Sequence, residues 1–524
     1  MTVANRTGGR ATAITLALII LWLGFTAWMR PLMLPDEGRY VGVAWEMLRS
    51  GDWLTPTLDG LPFFHKPPLF YWITAGSMSV FGLHEWAARV APVLGASLGA
   101  FALYLFMRRW VGERLARLTL VALLAQPLFF IGGQFANLDM LVAGCITATI
   151  VLAAHAALCV ERDLPYRSAL SGAYAMAAIG VLAKGLIGIV IPALVLLAWL
   201  VAQRRWRVLR ALIWWPGLLL FLLVAAPWFV AMQARFPDFL DYFFVVQHFK
   251  RFAAGGFNNV QPVWFYLAVL LLFSLPWLPW IYRLFNRTSV VDADRRQVRL
   301  LMVVWVLLVV LFFSMPKSKL LGYVLPAVPP LAALMTEGYA LIVSPSRRAR
   351  RWWLATAGAT SVLSLAVVIG LAIRPPNSLR ELSAVLASQR LPNEPVFMLG
   401  KYYYDVPFYA RLASANPVVD DWQDAAAKLR DNWHKELSDA GQFDTRRAAQ
   451  VLVLPTALPA ALCLAPAAWV IGSASAAQQY PFLQLVAVTA SARDIRLWKV
   501  DPKVAGVFSA LRCEGTPNVG SAGR

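Results

Sequence analysis

The sequence has few charged side chains and few of the residues that usually hold metal ions. Only 15% of its 524 residues are charged, five are histidine and four are cysteine. The cysteines lack the paired spacing of zinc sites. The sequence also has no dinucleotide-binding glycine fingerprint, P-loop, nucleophile elbow or zinc-protease motif. These absences argue against the common nucleotide-dependent enzymes and metalloproteases.

Long apolar runs fill most of the chain instead. Hydrophobic residues make up 59% of the sequence, and the mean hydropathy is +0.59. Many runs are long enough to cross about 30 Å of hydrocarbon, so the sequence predicts an α-helical polytopic membrane protein with about 11 to 13 spans. The predicted spans are residues 11–29, 88–107, 115–132, 138–160, 168–183, 185–202, 209–232, 263–282, 299–315, 319–343 and 352–373.

The basic residues follow the predicted topology. There are 48 lysines and arginines against 28 acidic residues, a net charge of +20. Arginines fill alternate loops, whereas Lys66, Lys184, Lys250, Lys317 and Lys319 lie on the opposite side. The positive-inside rule places the arginine-rich loops in the cytoplasm and the long loop at residues 30–87 outside. We therefore expect contacts with membrane lipids and none with nucleic acid.

The last 150 residues or so differ from the rest in pattern. Alternating apolar runs surround an amphipathic segment at residues 421–441, which predicts a small α/β domain. The predicted domains are a transmembrane domain, residues 1–374, that includes the large periplasmic loop 30–87, and a periplasmic α/β domain, residues 375–524. Cys463 and Cys513 can pair if this region is periplasmic, and the sequence leaves open whether they do.

The loop at residues 30–87 is unusually rich in charge. Pro35 and Gly51 bracket a helical apolar pattern, which predicts a short amphipathic helix on the outer surface. Asp36 and Glu37 fall in its first turn. They either compensate the helix N-terminus or belong to a functional site.

Further candidate residues lie in the other outward segments. Lys66, among aromatic residues and prolines, either binds phosphate or reaches to the membrane interface. Lys319 and Tyr323, at the junction of two spans, either bind phosphate or anchor helix ends. Asp139 lies at the outward end of a span, where it is either solvated or faces a cavity or a partner such as Asp36.

Two outward histidines offer a possible metal site. His65 and His248 can bind a divalent metal if the fold brings them together. The alternative is that both are structural histidines with ordinary hydrogen bonds. No other cofactor is implied by the sequence.

Several segments together resemble a known family. DEGRY, MLRSGDWLTPTLDG, FHKPPLFYW, FANLD, LAKGLIG, FFVVQHFKRFA, QPVWFY and SKLLGYVLP occur in this order over roughly the first 345 residues. In that order they resemble bacterial aminoarabinose (lipid A) transferases, members of the membrane glycosyltransferases with the GT-C fold. This wider superfamily includes the protein O-mannosyltransferases (glycosyltransferase 39-like).

The resemblance implies a reaction and a location. The enzyme would move 4-amino-4-deoxy-L-arabinose, or a related aminosugar, from undecaprenyl phosphate to lipid A phosphate, a modification that gives polymyxin resistance. The active site would face the periplasm from the bacterial inner membrane. A protein O-mannosyltransferase, or another polyprenyl-phosphate-sugar transferase with a different acceptor, is the nearest alternative. A lipid transporter or flippase is the non-enzyme alternative, although the sequence shows no related halves.

The resemblance also suggests roles for individual residues. Asp36 and Asp139 match the essential acids, and His248 matches a metal-associated position. His65 stands where the family has glutamate, and a neutral imidazole would still ligate a metal. The residues expected at the carrier phosphate or substrate are Lys66, Arg39, Glu37, Arg251, Lys319 and Tyr323.

Overall fold

A computed structural model of the protein describes residues 3–250, 259–285, 292–341, 347–428 and 432–514. The chain divides into two compact units. The first comprises Met1–Arg30 and His65–Pro375, and the second comprises Pro31–Phe64 and Pro376–Arg524. This division differs from the predicted domains in one segment. Residues 31–64, which the sequence assigns to the transmembrane domain, cluster with the C-terminal region.

The first unit is helical. Five helices in the described residues are long and apolar enough to cross a membrane, or six if the bent pair at residues 265–282 forms one span. The first unit therefore belongs to a multi-pass membrane protein. Its α-helices are Val3–Gly24, Leu69–Phe81, Glu85–Ala88, Val90–Trp110, Glu113–Leu124, Pro127–Gly132, Leu138–Val160, Arg167–Lys184, Ile187–Ala202, Trp206–Leu212, Trp215–Arg235, Phe265–Phe273, Leu278–Tyr282, Ala293–Ser314, Val328–Ala340 and Arg347–Ile373, with a π-helix at Asp241–Lys250.

Each predicted span coincides with helical structure, but several spans are interrupted. The span predicted at residues 115–132 breaks just before Pro127. The span predicted at 319–343 begins as a 3-10 helix, Leu321–Ala327, and continues as an α-helix with prolines in its first turn. The helix pair at 265–282 bends by 70°. Proline lacks an N–H and its ring obstructs the preceding turn, which accounts for the first two breaks.

One apolar helix lies where the sequence predicts only loop. Leu69–Phe81 is a 13-residue helix inside the segment 30–87. Two prolines precede it, and Pro68 occupies the N-cap position. Proline is tolerated at a helix start because the N–H it lacks has no partner there.

Small residues allow close packing at the centre of the first unit. A Cβ atom added to Gly95 would collide with the backbone of Leu141, and one added to Gly144 would collide with the carbonyl group of Gly95. Helices Val90–Trp110 and Leu138–Val160 therefore approach each other at their backbones, as small residues permit in membranes. This contact holds the first turn of Leu138–Val160, which carries Asp139.

The second unit contains the predicted amphipathic helix and a mixed sheet. The helix runs Asp36–Ser50 and ends at Gly51, whose φ of 72° is the left-handed conformation expected of a C-terminal cap. The helix prediction is confirmed. The strands are β1 Thr57–Leu58, β2 Leu61–Pro62, β3 Val396–Leu399, β4 Val418–Val419, β5 Leu452–Val453, β6 Ala468–Ser473, β7 Val488–Ala492 and β8 Ile495–Val500.

Six of these strands form one sheet in the order β5-β4-β3-β6-β8-β7. The pairs β5–β4, β4–β3 and β3–β6 are parallel. Strand β8 is antiparallel to both β6 and β7. A buried apolar cluster contains Val470 and Trp498 of the sheet together with Leu458 and Val507 of two helices. The other helices of this unit are Arg380–Gln389, Val406–Tyr409, Ala425–Lys428, Trp433–Gly441, Thr445–Val451, Leu458–Cys463, Ala476–Gln479 and Ala505–Leu511.

Specific contacts explain why residues 31–64 cluster with the C-terminal region. The Asn416 backbone N–H donates to the Asp59 carboxylate at 2.8 Å, and the Phe64 ring meets the Phe443 ring at 4.6 Å between centroids.

A disulfide joins Cys463 to Cys513, with their Cα atoms 5.6 Å apart. This resolves the question that the sequence left open.

Candidate functional site

In the first unit, Asp139 is held at the start of helix Leu138–Val160. The Asn137 side chain caps this helix by accepting a hydrogen bond from the Asp139 backbone N–H at 2.9 Å. The Asn137 amide also donates to Asp139 Oδ2 at 3.1 Å. The side chain therefore lies at a helix N-terminus, where the helix dipole favours an acidic group. Asp139 is buried, which places the charge away from bulk solvent.

The buried carboxylate has a cationic partner, Lys184. The Lys184 ammonium forms an ion pair with Asp139, and both side chains are about nine-tenths buried. Lys184 ends helix Arg167–Lys184, and Gly185 follows with a φ of 93°. The sequence places this lysine at an outward turn but does not assign it to the site. The sequence does contain a signal for a functional role, because LAKGLIG places a single lysine between two apolar helices.

Tyr323 completes this cluster. The Lys184 Nζ atom lies 4.3 Å from the centre of the Tyr323 ring, within the range of a cation–π contact. Gly322 makes the approach possible, because a Cβ at this position would collide with the Asp139 carboxylate. We call Asp139, Lys184 and Tyr323 the acid–lysine cluster.

Lys319 lies near this cluster in sequence but has its own contacts. Its ammonium donates to the carbonyl groups of Gln261 at 2.9 Å and Pro316 at 2.6 Å. Its backbone N–H donates to the Asn259 carbonyl at 3.1 Å. Lys319 is buried and ties two segments together, which matches the anchoring alternative; a role at the substrate stays a prediction.

His65 and Lys66 precede helix Leu69–Phe81. The His65 Nε2 atom lies 3.0 Å from the Tyr242 hydroxyl, and the Gln247 amide donates to the same hydroxyl at 2.8 Å. Lys66 is partly buried between His65 and Pro67. Its predicted contact with phosphate stays a prediction.

The described side chains do not assemble a metal site. His65 Nε2 is at hydrogen-bond distance from a tyrosine, and the described residues contain no group of three or more His, Cys, Asp or Glu that could share an ion. The His248 side chain and the whole of Arg251 lie outside the described residues.

In the second unit, Asp36 belongs to a charged network. The Arg39 guanidinium pairs with the carboxylates of both Asp36 and Glu436. Glu436 also accepts a hydrogen bond from the Tyr404 hydroxyl at 2.6 Å. In the same first turn, the Glu37 carboxylate accepts a hydrogen bond from the Met33 backbone N–H at 2.8 Å, which ties the helix to the chain that precedes it. Sequence reasoning missed Glu436, which is 397 residues from Arg39.

The electrostatics of this network keep Arg39 charged. Burial acts to lower the pKa of the Arg39 guanidinium, but Glu436, Tyr40 and Asp36 together raise that pKa well above its ordinary value. About a third of the Asp36 side chain is exposed, so its carboxylate remains accessible beside a fixed cation. Asp36 and Asp139 belong to different units, and their predicted approach stays a prediction.

Comparisons with known proteins identify similar chains. Residues 65–230 match the family model described as dolichyl-phosphate-mannose-protein mannosyltransferase. Three relatives carry the name undecaprenyl phosphate-alpha-4-amino-4-deoxy-L-arabinose arabinosyl transferase. The one from Sodalis glossinidius is 38% identical over 60% of this chain and 58% of its own length. The one from Shewanella sediminis is 33% identical over 63% of this chain and 59% of its own length. The one from Enterobacter sp. is 31% identical over 70% of this chain and 68% of its own length.

This chain thus spans less than two thirds of the length of the Sodalis and Shewanella relatives. Among solved structures, it is similar to ArnT from Cupriavidus metallidurans bound to undecaprenyl phosphate, with a TM-score of 0.79 and 23% identity. That match covers 93% of this chain and 97% of the other. It confirms the predicted fold class, a helical GT-C membrane protein with a small C-terminal sheet region.

Proposed function

The chain belongs to the family of undecaprenyl phosphate-alpha-4-amino-4-deoxy-L-arabinose arabinosyl transferases, and from this premise we propose that it moves an aminosugar from undecaprenyl phosphate to lipid A phosphate. The sugar is 4-amino-4-deoxy-L-arabinose or a close relative. The observation that carries the proposal is the acid–lysine cluster. In this cluster a buried ammonium lies beside a carboxylate and a phenol. The ammonium suits the phosphate of a lipid carrier, and the polar side chains suit the hydroxyl and amino groups of a sugar.

The reaction balances without a proton or an external energy donor. A phosphate oxygen of lipid A attacks the anomeric carbon of the sugar, and the bond from that carbon to the carrier phosphate oxygen breaks. The electron pair leaves with undecaprenyl phosphate. The acceptor monoester becomes a diester as the donor diester becomes a monoester, so the total charge is unchanged.

The leaving phosphate gains negative charge, and fixed cations would stabilise it. A lysine ammonium has three N–H donors, and one ion pair to Asp139 leaves others for phosphate oxygens. Lys184 and the Tyr323 hydroxyl would bind the carrier phosphate together with Lys66 and Arg251. Burial strengthens such contacts, because little water competes for the charge. Lys319 would support this site from the segment it anchors.

The acids would position the reacting groups. Asp139 fixes the Lys184 ammonium, and Asp36, held by Arg39, would orient the acceptor or the sugar ammonium. A phosphate acceptor is already ionised, so Asp36 need not act as a base. Glu37 would help to hold this turn in place through its hydrogen bond from the Met33 backbone N–H.

We further propose that the second unit and the site face the periplasm of the bacterial inner membrane. The Cys463–Cys513 disulfide supports this, because disulfides persist in oxidising compartments. The arginine-rich loops on the opposite side support it as well.

Mass spectrometry of lipid A, with and without the gene, tests the proposal. We expect an added pentosamine that disappears on deletion and returns with the wild-type gene. Asp139→Asn should not restore it, whereas the matched control Asp163→Asn, at an exposed side chain, should. Lipid A unchanged by deletion would rule out this acceptor.

A second candidate function has one specific observation in its favour. The family model matched by residues 65–230 is described by mannosyl transfer to protein. A protein hydroxyl needs a base, which Asp36 would supply. Hexose-modified periplasmic proteins that vanish on deletion would favour this alternative.

A further inference from the structure

A groove lies between three helices of the first unit. It has a volume of about 470 Å³ and is lined by Val90–Trp110, Leu138–Val160 and Arg167–Lys184. Most of the lining is apolar, including Leu98, Phe101, Leu105, Leu152 and Met176. Gly172 also lines it and adds no side-chain bulk.

Polar groups lie at one end of this groove. Arg109 and His155 line it there, next to Trp110. The Trp110 indole N–H donates to His155 Nδ1 at 3.0 Å, and the Arg109 guanidinium lies 4.9 Å from a Trp110 ring centroid. Aromatic residues of this kind are typical of the membrane interface.

Arg109 differs from the arginines around it. Arg108 pairs with Glu113 at 3.6 Å, and Arg162 pairs with Asp294. Within the part of the chain that the structure describes, no carboxylate pairs with Arg109, and its side chain is exposed. An unpaired guanidinium at the mouth of an apolar groove has charge complementary to an anion with a hydrocarbon tail.

The groove also has the depth of one leaflet. From Leu98 to Arg109 a helix rises about 16 Å at 1.5 Å per residue. This is about half of the 30 Å hydrocarbon thickness. Arg109 lies on the arginine-rich side, opposite to the proposed site of sugar transfer.

We propose that this groove binds an acyl chain of an anionic phospholipid whose phosphate accepts hydrogen bonds from Arg109. Basic pockets between membrane helices on the cytoplasmic side bind such headgroups. A zwitterionic headgroup binds less well, because its ammonium meets the guanidinium. The site does not depend on the proposed sugar transfer.

Native mass spectrometry of the purified full chain, titrated with phosphatidylglycerol or with phosphatidylcholine of the same acyl chains, tests this inference. We expect preferential retention of phosphatidylglycerol. Arg109→Gln should weaken that binding about tenfold, as loss of a charge-assisted hydrogen bond predicts, and Arg109→Lys should retain part of it. Gly172→Leu should weaken both lipids by filling the groove.

The matched control is Arg114→Gln, which removes an exposed charge that does not line the groove. It should bind phosphatidylglycerol as the wild type does. Equal retention of the two lipids, equal binding by Arg109→Gln and Arg114→Gln, or displacement of phosphatidylglycerol by inorganic phosphate alone would overturn the proposal. Elution of each variant as a single monodisperse species separates loss of binding from misfolding.

Discussion

Replacing Lys184 with methionine should separate the structural cost of its ion pair from its role in transfer. Methionine keeps most of the length of the side chain and removes the charge, leaving the Asp139 carboxylate buried without its cation. Breaking a mostly buried pair by removing one partner typically costs about 3–5 kcal/mol. With both side chains only about a tenth exposed, we expect Lys184→Met to lose about 3 kcal/mol of stability.

The double variant, Lys184→Met with Asp139→Asn, makes the test decisive. It removes both charges, so no uncompensated carboxylate remains and most of the lost stability should return. Transfer should not return, because the cation proposed to bind the carrier phosphate is still missing. Thermal unfolding in detergent measures the first effect, and sugar release from undecaprenyl phosphate measures the second.

Two results would refute this reasoning. If Lys184→Met unfolds at the wild-type temperature, the buried ion pair does not stabilise the unit. If the double variant regains turnover together with stability, the cluster is structural only. The exposed pair Arg207 and Asp163, 3.5 Å apart, provides a control, because removing either partner should change little.

Three further predictions address single features of the two units. Gly322→Ala should abolish transfer, because its Cβ would collide with the Asp139 carboxylate, whereas Gly358→Ala, which meets open space, should leave activity intact in the same assay. Burial raises the pKa of Asp405 to about 7, so the folded chain keeps a proton that the unfolded carboxyl loses above about pH 4. Stability should therefore fall as pH rises from about 4 to about 7, and a pH series of unfolding midpoints for Asp405→Asn should lose that part of the decline. Cys463→Ser should destabilise the second unit by about 4 kcal/mol, the entropy of a loop closed over 50 residues, and a reducing agent should no longer shift its unfolding midpoint.

The sequence predicts the spans well because hydrocarbon demands long apolar runs. It predicts their interruptions less well, since a proline within such a run can kink, break or start a helix. Leu69–Phe81 shows the difficulty: its 13 residues are short for a span, and the prolines before it suggest extended chain. The fold places one of those prolines at the helix cap.

In the second unit, local pattern predicts the helix at residues 36–50 and the presence of strands in the last 150 residues or so. It does not predict that residues 31–64 cluster with a region more than 300 residues away. That association rests on single hydrogen bonds and ring contacts, such as Asn416 to Asp59, which have no periodic signature in sequence.

The candidate site also contains residues that the sequence predicts and residues that it does not. Asp139 and Tyr323 are predictable, because a carboxylate at a span end and a phenol at a span junction are unusual in apolar surroundings. Lys184 and Glu436 join their partners only through the fold. Partners distant in sequence leave no trace in residue spacing, so a single sequence cannot pair them.

The most direct test of sugar transfer uses the purified chain with undecaprenyl phosphate-linked aminoarabinose and lipid A. A curated relative serves as the positive control. We predict that pentosamine-modified lipid A and free undecaprenyl phosphate accumulate in equal amounts with the wild type, and that neither accumulates with Lys184→Met. Absence of both products from the wild type, under conditions in which the relative is active, would contradict the account. So would full turnover by Lys184→Met.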